Sequence, residues 1–233
     1  MEPEKTEFDD YAESYTELHR NSIAASGEDP SFFSAFKADY VANSVKPSAS
    51  GAQLHILDFG CGIGNSTSHL REAFPDAKLF GADPSSESIR IARERAIKDV
   101  EFVITSDSGL LYKDGSFDVV FVACVFHHIA PAKRLFWMRE LRRVTKSCGH
   151  IYIFEHNMLN PLTVKAVKDC PFDEHAILLP STELMTLAKS AGFTVPKIRY
   201  VIFFPRMLAF LRPFEKLLVK IPFGAQYVLQ AMA

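Results

Sequence analysis

The sequence has no long hydrophobic run and no strong excess of charge of one sign. Its 233 residues contain no stretch of about 18 apolar residues, so we expect no membrane-spanning helix. The formal net charge of -2 creates no general positive field that would concentrate nucleic acid, which is therefore not an expected partner. The acidic N-terminus lacks both the basic and the apolar region of a signal peptide. These absences predict a cytoplasmic protein.

Cysteine is also scarce. The four residues Cys61, Cys124, Cys148 and Cys170 form no CxxC pair and no Cys/His pair at zinc-ligand spacing. The polar run Glu155-His156-Asn157 lacks the further ligands that a metal ion would need, because three consecutive side chains rarely all face one ion. We therefore predict free thiols and no metal site.

From residue 54 onward, short apolar runs alternate with segments of helical composition. Strands are predicted at 54–59, 78–82, 100–105, 117–124 and 149–155, and helices at 66–73, 85–98, 131–144 and 181–190. The strands lack a polar face, which is typical of a mainly parallel sheet that helices cover on both sides. The predicted fold class is α/β, doubly wound.

The N-terminal part does not follow this alternation. Residues 1–48 precede the first strand and predict two helices, at 9–26 and 30–45, which we interpret as a helical cap. The core is then expected to comprise residues 49–233.

The C-terminal part reads as two strands, at 197–204 and 226–232, that flank an insertion at about 205–222. This insertion is apolar, with arginines interspersed and Pro213 inside its helical pattern. Three interpretations stay open: packing on the core, pairing with another subunit in a homodimer, or contact with a membrane or a lipid-like acceptor.

A glycine turn follows the first predicted strand. Its GxGxG spacing places Asn65 where a dinucleotide motif has its third glycine, which disfavours a nicotinamide cofactor. Asp58 precedes the turn and suits a ligand that carries an ammonium group better than one with a pyrophosphate. Asp83 ends the second strand, where it can accept hydrogen bonds from ribose hydroxyls.

Four motifs occur in a fixed order: LHILDFGCGIGNST, FGADPSSE, DGSFDVVFVACVFHHI and LRRVTKSCGHIYIFEH. Over about residues 54–156, the sequence thereby resembles the class I S-adenosylmethionine-dependent methyltransferases. The resemblance implies a Rossmann-like, mainly parallel seven-stranded sheet with an antiparallel last strand, and S-adenosyl-L-methionine as cofactor. One departure concerns the acidic residue usual after the third strand: Ser106 stands in its place, and Asp107 is displaced by one position.

The resemblance also implies roles for single positions. The methionine part of the cofactor would be surrounded by Asp58, Gly60, Gly62 and Gly64. Asp83 would bind the ribose hydroxyls, and Pro84 and Ser85 would flank the adenosine. Ser106 or Asp107 would contact the adenine. The far side of the cofactor would be lined by Ala123 to His127.

Candidates for the acceptor site follow the later strands. His127 and His128 come just after the fourth strand, and either is a candidate general base near neutral pH, although packing on the sheet is an alternative. Glu155 and His156 follow the fifth strand and are candidates for hydrogen bonding to the acceptor. Tyr11, Tyr15 and His19 have helical spacing, so they would share one face of the cap, which either covers the cleft or simply packs.

These observations together predict an S-adenosylmethionine-dependent methyltransferase for a small or medium-sized acceptor. Oxygen is the expected methylated atom, with nitrogen and carbon open. The alternatives are a cofactor-binding module without transfer activity and, less favoured, a nicotinamide-dependent oxidoreductase.

Overall fold

A seven-stranded sheet forms the centre of the computed structural model, which describes residues 6–45 and 52–233. The strands are β1 (His55–Phe59), β2 (Lys78–Asp83), β3 (Val100–Ile104), β4 (Phe117–Ala123), β5 (Thr145–His156), β6 (Thr194–Val201) and β7 (Gln226–Met232). Their order is β3-β2-β1-β4-β5-β7-β6, and β7 runs antiparallel to both of its neighbours. The predicted α/β sheet with an antiparallel last strand is therefore confirmed.

Eight α-helices accompany the sheet in the described ranges. They are α1 (Tyr15–Ser22), α2 (Pro30–Ser44), α3 (Asn65–Ala73), α4 (Ser86–Glu94), α5 (Pro131–Val144), α6 (Pro161–Lys168), α7 (Ser181–Ser190) and α8 (Glu215–Leu218). The helices lie on both faces of the sheet, so the strands are buried on both sides. In β4, Val120 and Val122 enter one hydrophobic core, whereas Val119 and Phe121 enter the other. This two-sided burial explains why the strand sequences have no polar face.

The N-terminal segment rests directly on the sheet domain. Ala38 and Val41 of α2 belong to the same buried cluster as Ile56 of β1. At the start of α4, Oδ1 of Asp9 accepts hydrogen bonds from the Ser85 hydroxyl and from a backbone N–H. The predicted domain boundary at residue 48 lies outside the described residues.

Two sequence predictions of local structure were wrong. The helix predicted at 9–26 is divided into a 3-10 turn (Glu7–Asp10), α1 and a second 3-10 turn (Ala24–Ser26). The segment after β5, predicted to be irregular, contains α6 and a 3-10 turn at Pro171–Asp173. Asn160 caps α6 by accepting hydrogen bonds from two backbone N–H groups, and Pro161 occupies its first turn. The Asn-Pro pair was thus a helix start signal.

The insertion between β6 and β7 consists of a 3-10 segment (Arg206–Phe214) followed by α8. Several of its apolar side chains are exposed: Met207, Phe210, Phe214 and Leu217. Packing on the core therefore does not account for these four side chains. Contact with a second subunit or with a lipid stays a prediction. None of the helices in the described part of the chain combines the length and hydrophobicity needed to cross a bilayer.

Candidate functional site

A cavity of about 830 Å³ opens where the parallel strands end. Its walls come from the turn after β1, the end of β2, and the loops after β3, β4 and β5, with α1 and α2 closing it from the N-terminal side. In open α/β sheets, ligands bind in the crevice at the carboxyl ends of the strands. The cavity is therefore the candidate functional site.

The glycine turn forms one wall of the cavity. Gly60 has φ of 73°, and a Cβ there would lie 2.3 Å from the Val125 side chain, so only glycine fits. Gly62 also lines the cavity, and a Cβ on it would meet no atom within 4 Å. Gly64 does not line the cavity; it has φ of 81° and begins α3 as its N-cap. The turn thus leaves open space beside backbone N–H groups.

Asp83 ties the end of β2 to this turn. Its Oδ2 accepts a hydrogen bond from the Gly62 N–H at 2.8 Å, and its Oδ1 accepts one from the Ser85 N–H at 2.9 Å. Burial raises its pKa to about 6, although these hydrogen bonds act in the opposite direction. Asp83 and Pro84 both line the cavity, as do Ala123, Ser106 and Asp107.

Of the predicted cofactor residues, Asp58 and Gly64 do not line the cavity, and Ser106 and Asp107 line it while contacting other side chains. Asp58 does not line the cavity; its Oδ2 accepts a 2.6 Å hydrogen bond from Thr67, and its buried Oδ1 has no partner among the described residues. Burial raises the pKa of Asp58 to about 7. Asp107 forms an exposed ion pair with Lys133, and the Ser106 hydroxyl contacts Ser108.

His127 is held between two carboxylates at the other end of the cavity. Its Nδ1 lies 2.6 Å from Oε2 of Glu155, and its Nε2 lies 3.5 Å from Oδ1 of Asp173. The other Glu155 oxygen accepts two backbone N–H groups of the loop after β4. Burial alone would lower the pKa of His127, but the two carboxylates outweigh it and raise the pKa to about 10. His127 is therefore protonated at neutral pH, and Glu155, which does not line the cavity, neutralises it.

His128 has the opposite character. Its Nε2 lies 3.2 Å from Oδ1 of Asp173, an oxygen that has no hydrogen-bond partner among the described residues, and its ring is T-shaped to that of Phe8. Burial and the nearby charge of His127 lower its pKa, so the ring is neutral at neutral pH. The pKa of Asp173 is lowered because both histidines outweigh the effect of its burial, and it is ionised. Of the two predicted bases, these electrostatics favour His128.

The same three residues offer a donor set for a cation. One atom each of His127, His128 and Asp173 lies within 4.8 Å of the others. In histidines that bind metals, the ring nitrogen that does not contact the ion usually donates a hydrogen bond to a carboxylate, and Glu155 is placed to accept one from His127. However, a protonated His127 between two carboxylates satisfies these charges without an ion. The absence of a metal accordingly stays a prediction.

The cap contributes two of its three predicted residues to the cavity. Tyr15 and His19 line it, whereas Tyr11 does not and instead packs against Phe172. The Tyr15 and Phe172 rings are stacked with their centroids 4.6 Å apart. His156 lines the opposite wall. Burial lowers the pKa values of both His19 and His156 to about 4, so both imidazoles are neutral.

Two residues that sequence reasoning missed belong to the site. Asp173 follows α6 in a segment predicted to be irregular, and the sequence Cys-Pro-Phe-Asp was its only available signal. Lys37 lies on α2 and lines the cavity although only 6% of it is exposed. A lysine on a cap helix gives no local signal of such burial.

Comparison with known proteins finds similarity to methyltransferases in the central part of the chain. A family model described as a methyltransferase domain matches residues 56–149. The demethylmenaquinone methyltransferase of Thermotoga maritima is 35% identical over 100 residues, which cover 43% of this chain and 42% of that protein. Phosphoethanolamine N-methyltransferase 1 of Arabidopsis thaliana is 33% identical over 147 residues, which cover 60% of this chain and 28% of that protein. The match therefore spans less than half the length of these relatives.

Solved structures share the fold over most of the chain. An S-adenosylmethionine-dependent methyltransferase from Thermotoga maritima has a TM-score of 0.66 and 19% identity over 97% of both chains. Phosphoethanolamine N-methyltransferase 2 of Haemonchus contortus, solved with S-adenosylhomocysteine and phosphomonomethylethanolamine, has a TM-score of 0.57 and 18% identity over 78% of this chain and 49% of that one. At these identities the likeness concerns the fold, and it agrees with the strand order described above.

Proposed function

We propose that the chain is a class I S-adenosylmethionine-dependent methyltransferase and that it transfers the methyl group of this cofactor to a hydroxyl of a small or medium-sized acceptor, a proposal that the methyltransferase-domain match over residues 56–149 supports. The relatives above are named for demethylmenaquinone and phosphoethanolamine, so the family supports the reaction without indicating the acceptor. Support for the methylated atom comes from the geometry of the cavity.

The residues at the glycine turn fit the cofactor. A side chain at Gly62 would occupy open cavity space, so glycine keeps that space available to a ligand. Each Asp83 oxygen accepts one N–H group and has a lone pair left for a ribose hydroxyl. Gly60 and Gly62 would approach the methionine part, and Ser106 or Asp107 would lie near the adenine. When bound, the cofactor supplies a methyl carbon whose bond to sulfur breaks as the bond to the acceptor forms.

The observation that carries the proposal of oxygen as the acceptor atom is the pairing of neutral His128 with ionised Asp173 at the cavity wall. A hydroxyl must lose its proton when it is methylated, and a neutral imidazole accepts one. Nε2 of His128 lies 3.2 Å from Oδ1 of Asp173, and although this oxygen has no hydrogen-bond partner among the described residues, its charge favours a proton on Nε2, which leaves Nδ1 to receive the proton of the acceptor. Asp173 then stabilises the imidazolium that forms. His127 cannot take this role at neutral pH because it already carries a proton.

The test combines binding and turnover. Calorimetry should give binding of S-adenosylhomocysteine and none of NAD. Incubation with methyl-labelled cofactor and a panel of hydroxyl, amine and carbon acceptors should place the label on oxygen, as read by mass spectrometry. Binding without transfer to any acceptor would indicate a cofactor-binding module. Label on nitrogen alone would refute the role given to His128.

A further inference from the structure

Lys37 is a buried cation without a counter-ion. Its ammonium makes one hydrogen bond, to Sγ of Cys124 at 3.6 Å, and no carboxylate of residues 6–45 or 52–233 forms an ion pair with it, although its charge opposes the rise that burial causes in the pKa of Asp58. Thiols are weak acceptors, so this contact does little to offset the loss of hydration. A buried charge is strongly unfavourable unless it is paired. Since Lys37 lines the cavity, its missing partner has room to enter there.

The charge of Lys37 acts on the pKa of the buried Asp58 carboxyl, but Asp58 forms no ion pair with Lys37 and does not line the cavity. Two further carboxylates at this end of the cavity are already engaged. Glu155 binds His127 and two backbone N–H groups. Asp173 faces both His127 and His128. Neither approaches Lys37 closely enough to form an ion pair, so the positive charge of Lys37 stays available to a ligand.

The groups around Lys37 can donate further hydrogen bonds. His19 and His156 line the same cavity, and the charge of Lys37 helps to keep both imidazoles neutral after burial has already lowered their pKa values. A neutral imidazole donates one N–H. Gln226, also in the wall, donates its amide N–H to Cys124, and its buried Oε1 has no partner within the described ranges. An anion would find a cation and two imidazole N–H donors here, whereas the Gln226 oxygen can only accept a hydrogen bond.

We propose that Lys37 binds an anionic group of the methyl acceptor, either a carboxylate or a phosphate. This inference rests on the proposed methyl transfer and makes it more specific: the acceptor is an acidic molecule that presents a hydroxyl to His128 and an anionic group to Lys37. Lys37 contacts Cys124, which stands in the loop after β4 that also carries His128. Cys124 also belongs to the segment expected to line the cofactor, and the charge of Lys37 acts on the pKa of Asp58, which is expected near the methionine part, so the location by itself fits both the acceptor and the cofactor. The carboxylate of the cofactor is the competing source, which the experiment must separate.

The first arm measures cofactor binding. Calorimetry with S-adenosylhomocysteine is run on the wild type, Lys37→Met and Lys37→Arg. We expect all three dissociation constants to agree within about threefold. A loss of about tenfold or more in Lys37→Met, restored in Lys37→Arg, would assign Lys37 to the carboxylate of the cofactor and overturn the proposal.

The second arm measures anion binding to the complex with S-adenosylhomocysteine. The probes are inorganic phosphate and benzoate, with benzyl alcohol as the uncharged match of benzoate. At least one anion should raise the Tm of the wild-type complex, bind about tenfold or more weakly to Lys37→Met, and keep its affinity for Lys37→Arg, because charge-assisted hydrogen bonds have this strength. Benzyl alcohol should not distinguish the variants. Anion binding that is absent from the wild type, or equal in Lys37→Met, would overturn the proposal.

A folding control and a turnover control complete the design. Without ligands, the Tm of Lys37→Met should equal or exceed that of the wild type, because the substitution removes an unpaired buried charge. Anion binding is measured without turnover, so the Lys37 result can be interpreted even if oxygen is not methylated. The turnover test of His128 can likewise be interpreted even if no anion binds.

Discussion

Oδ1 of Asp173 lies 3.2 Å from Nε2 of His128, although α5, β5 and α6 separate the two residues along the chain. The 3-10 turn after α6 delivers the carboxylate, and the loop after β4 delivers the imidazole. Asp173 is buried and ionised, whereas His128 is neutral and faces the cavity. Asp173 faces both histidines, and the two differ because Glu155 pairs with His127 alone, whose charge then lowers the pKa of His128.

Replacement of His128 by Asn should lower kcat by about 10²–10⁴-fold, the usual contribution of a general base. The affinity for S-adenosylhomocysteine, measured by calorimetry, should stay the same, because His128 lies away from the glycine turn. His69→Asn is the matched control, since His69 pairs with Glu72 on α3, outside the cavity. Undiminished turnover in His128→Asn would rule out the proposed base.

The pair of His127 and Glu155 predicts a fall in stability at alkaline pH. The folded-state pKa of His127 is raised to about 10, above the unfolded value of about 6.5, so its contribution is fully present below pH 6.5 and is lost as the pH rises to 10. Urea titrations between pH 6 and 10 should give a declining free energy of unfolding in the wild type. The His127→Asn variant should show a smaller decline. Parallel curves for the two proteins would contradict the charge assigned to His127.

Glu155→Gln should destabilise the fold strongly. Removing one partner of a buried ion pair costs about 3–5 kcal/mol, because the remaining charge on His127 is left insufficiently compensated. The double variant His127→Asn/Glu155→Gln should recover part of this loss. Urea denaturation of the four proteins gives the coupling free energy, and an additive result would mean that the pair does not interact as described.

Asp83→Asn should weaken the binding of S-adenosylhomocysteine by about 1–3 kcal/mol, because an amide nitrogen cannot accept a hydrogen bond from a ribose hydroxyl. Asp76→Asn is the control, since Asp76 is exposed before β2 and does not line the cavity. Calorimetry on both variants provides the comparison. Equal affinities would remove Asp83 from the cofactor site.

Gly60→Ala should lower the free energy of unfolding by about 1–3 kcal/mol. Its added methyl would lie 2.3 Å from Cγ2 of Val125, and φ of 73° is strained for any other L-residue. In Gly60→Ala/Val125→Ala the clash is relieved and the backbone strain stays, so the recovery should be partial. Full stability in the single variant, measured by urea denaturation, would contradict the packing of the turn.

Much of the fold was predictable because its signals are local. Strands that are buried on both faces have continuous apolar sequences, and the bounds predicted for α5, α7 and β7 agree with the structure. The predictions failed where tertiary contacts determine local structure. The first predicted cap helix was divided into short helical pieces, and α6 was missed because Pro161 at its start and Pro171 beyond its end resembled a loop.

The sequence by itself determined the sheet and indicated the edge of the sheet at which a cofactor is expected, because the glycine turn and the residues that end β2 and β3 occur at consecutive strand ends, which the parallel topology brings together. Only the tertiary structure decided which histidine carries a proton and which cation lacks a partner. Both properties depend on burial and on charges from distant segments, here Asp173 beside His127 and His128, and the absence of a carboxylate beside Lys37 within the described ranges. No spacing in the sequence reports such distances.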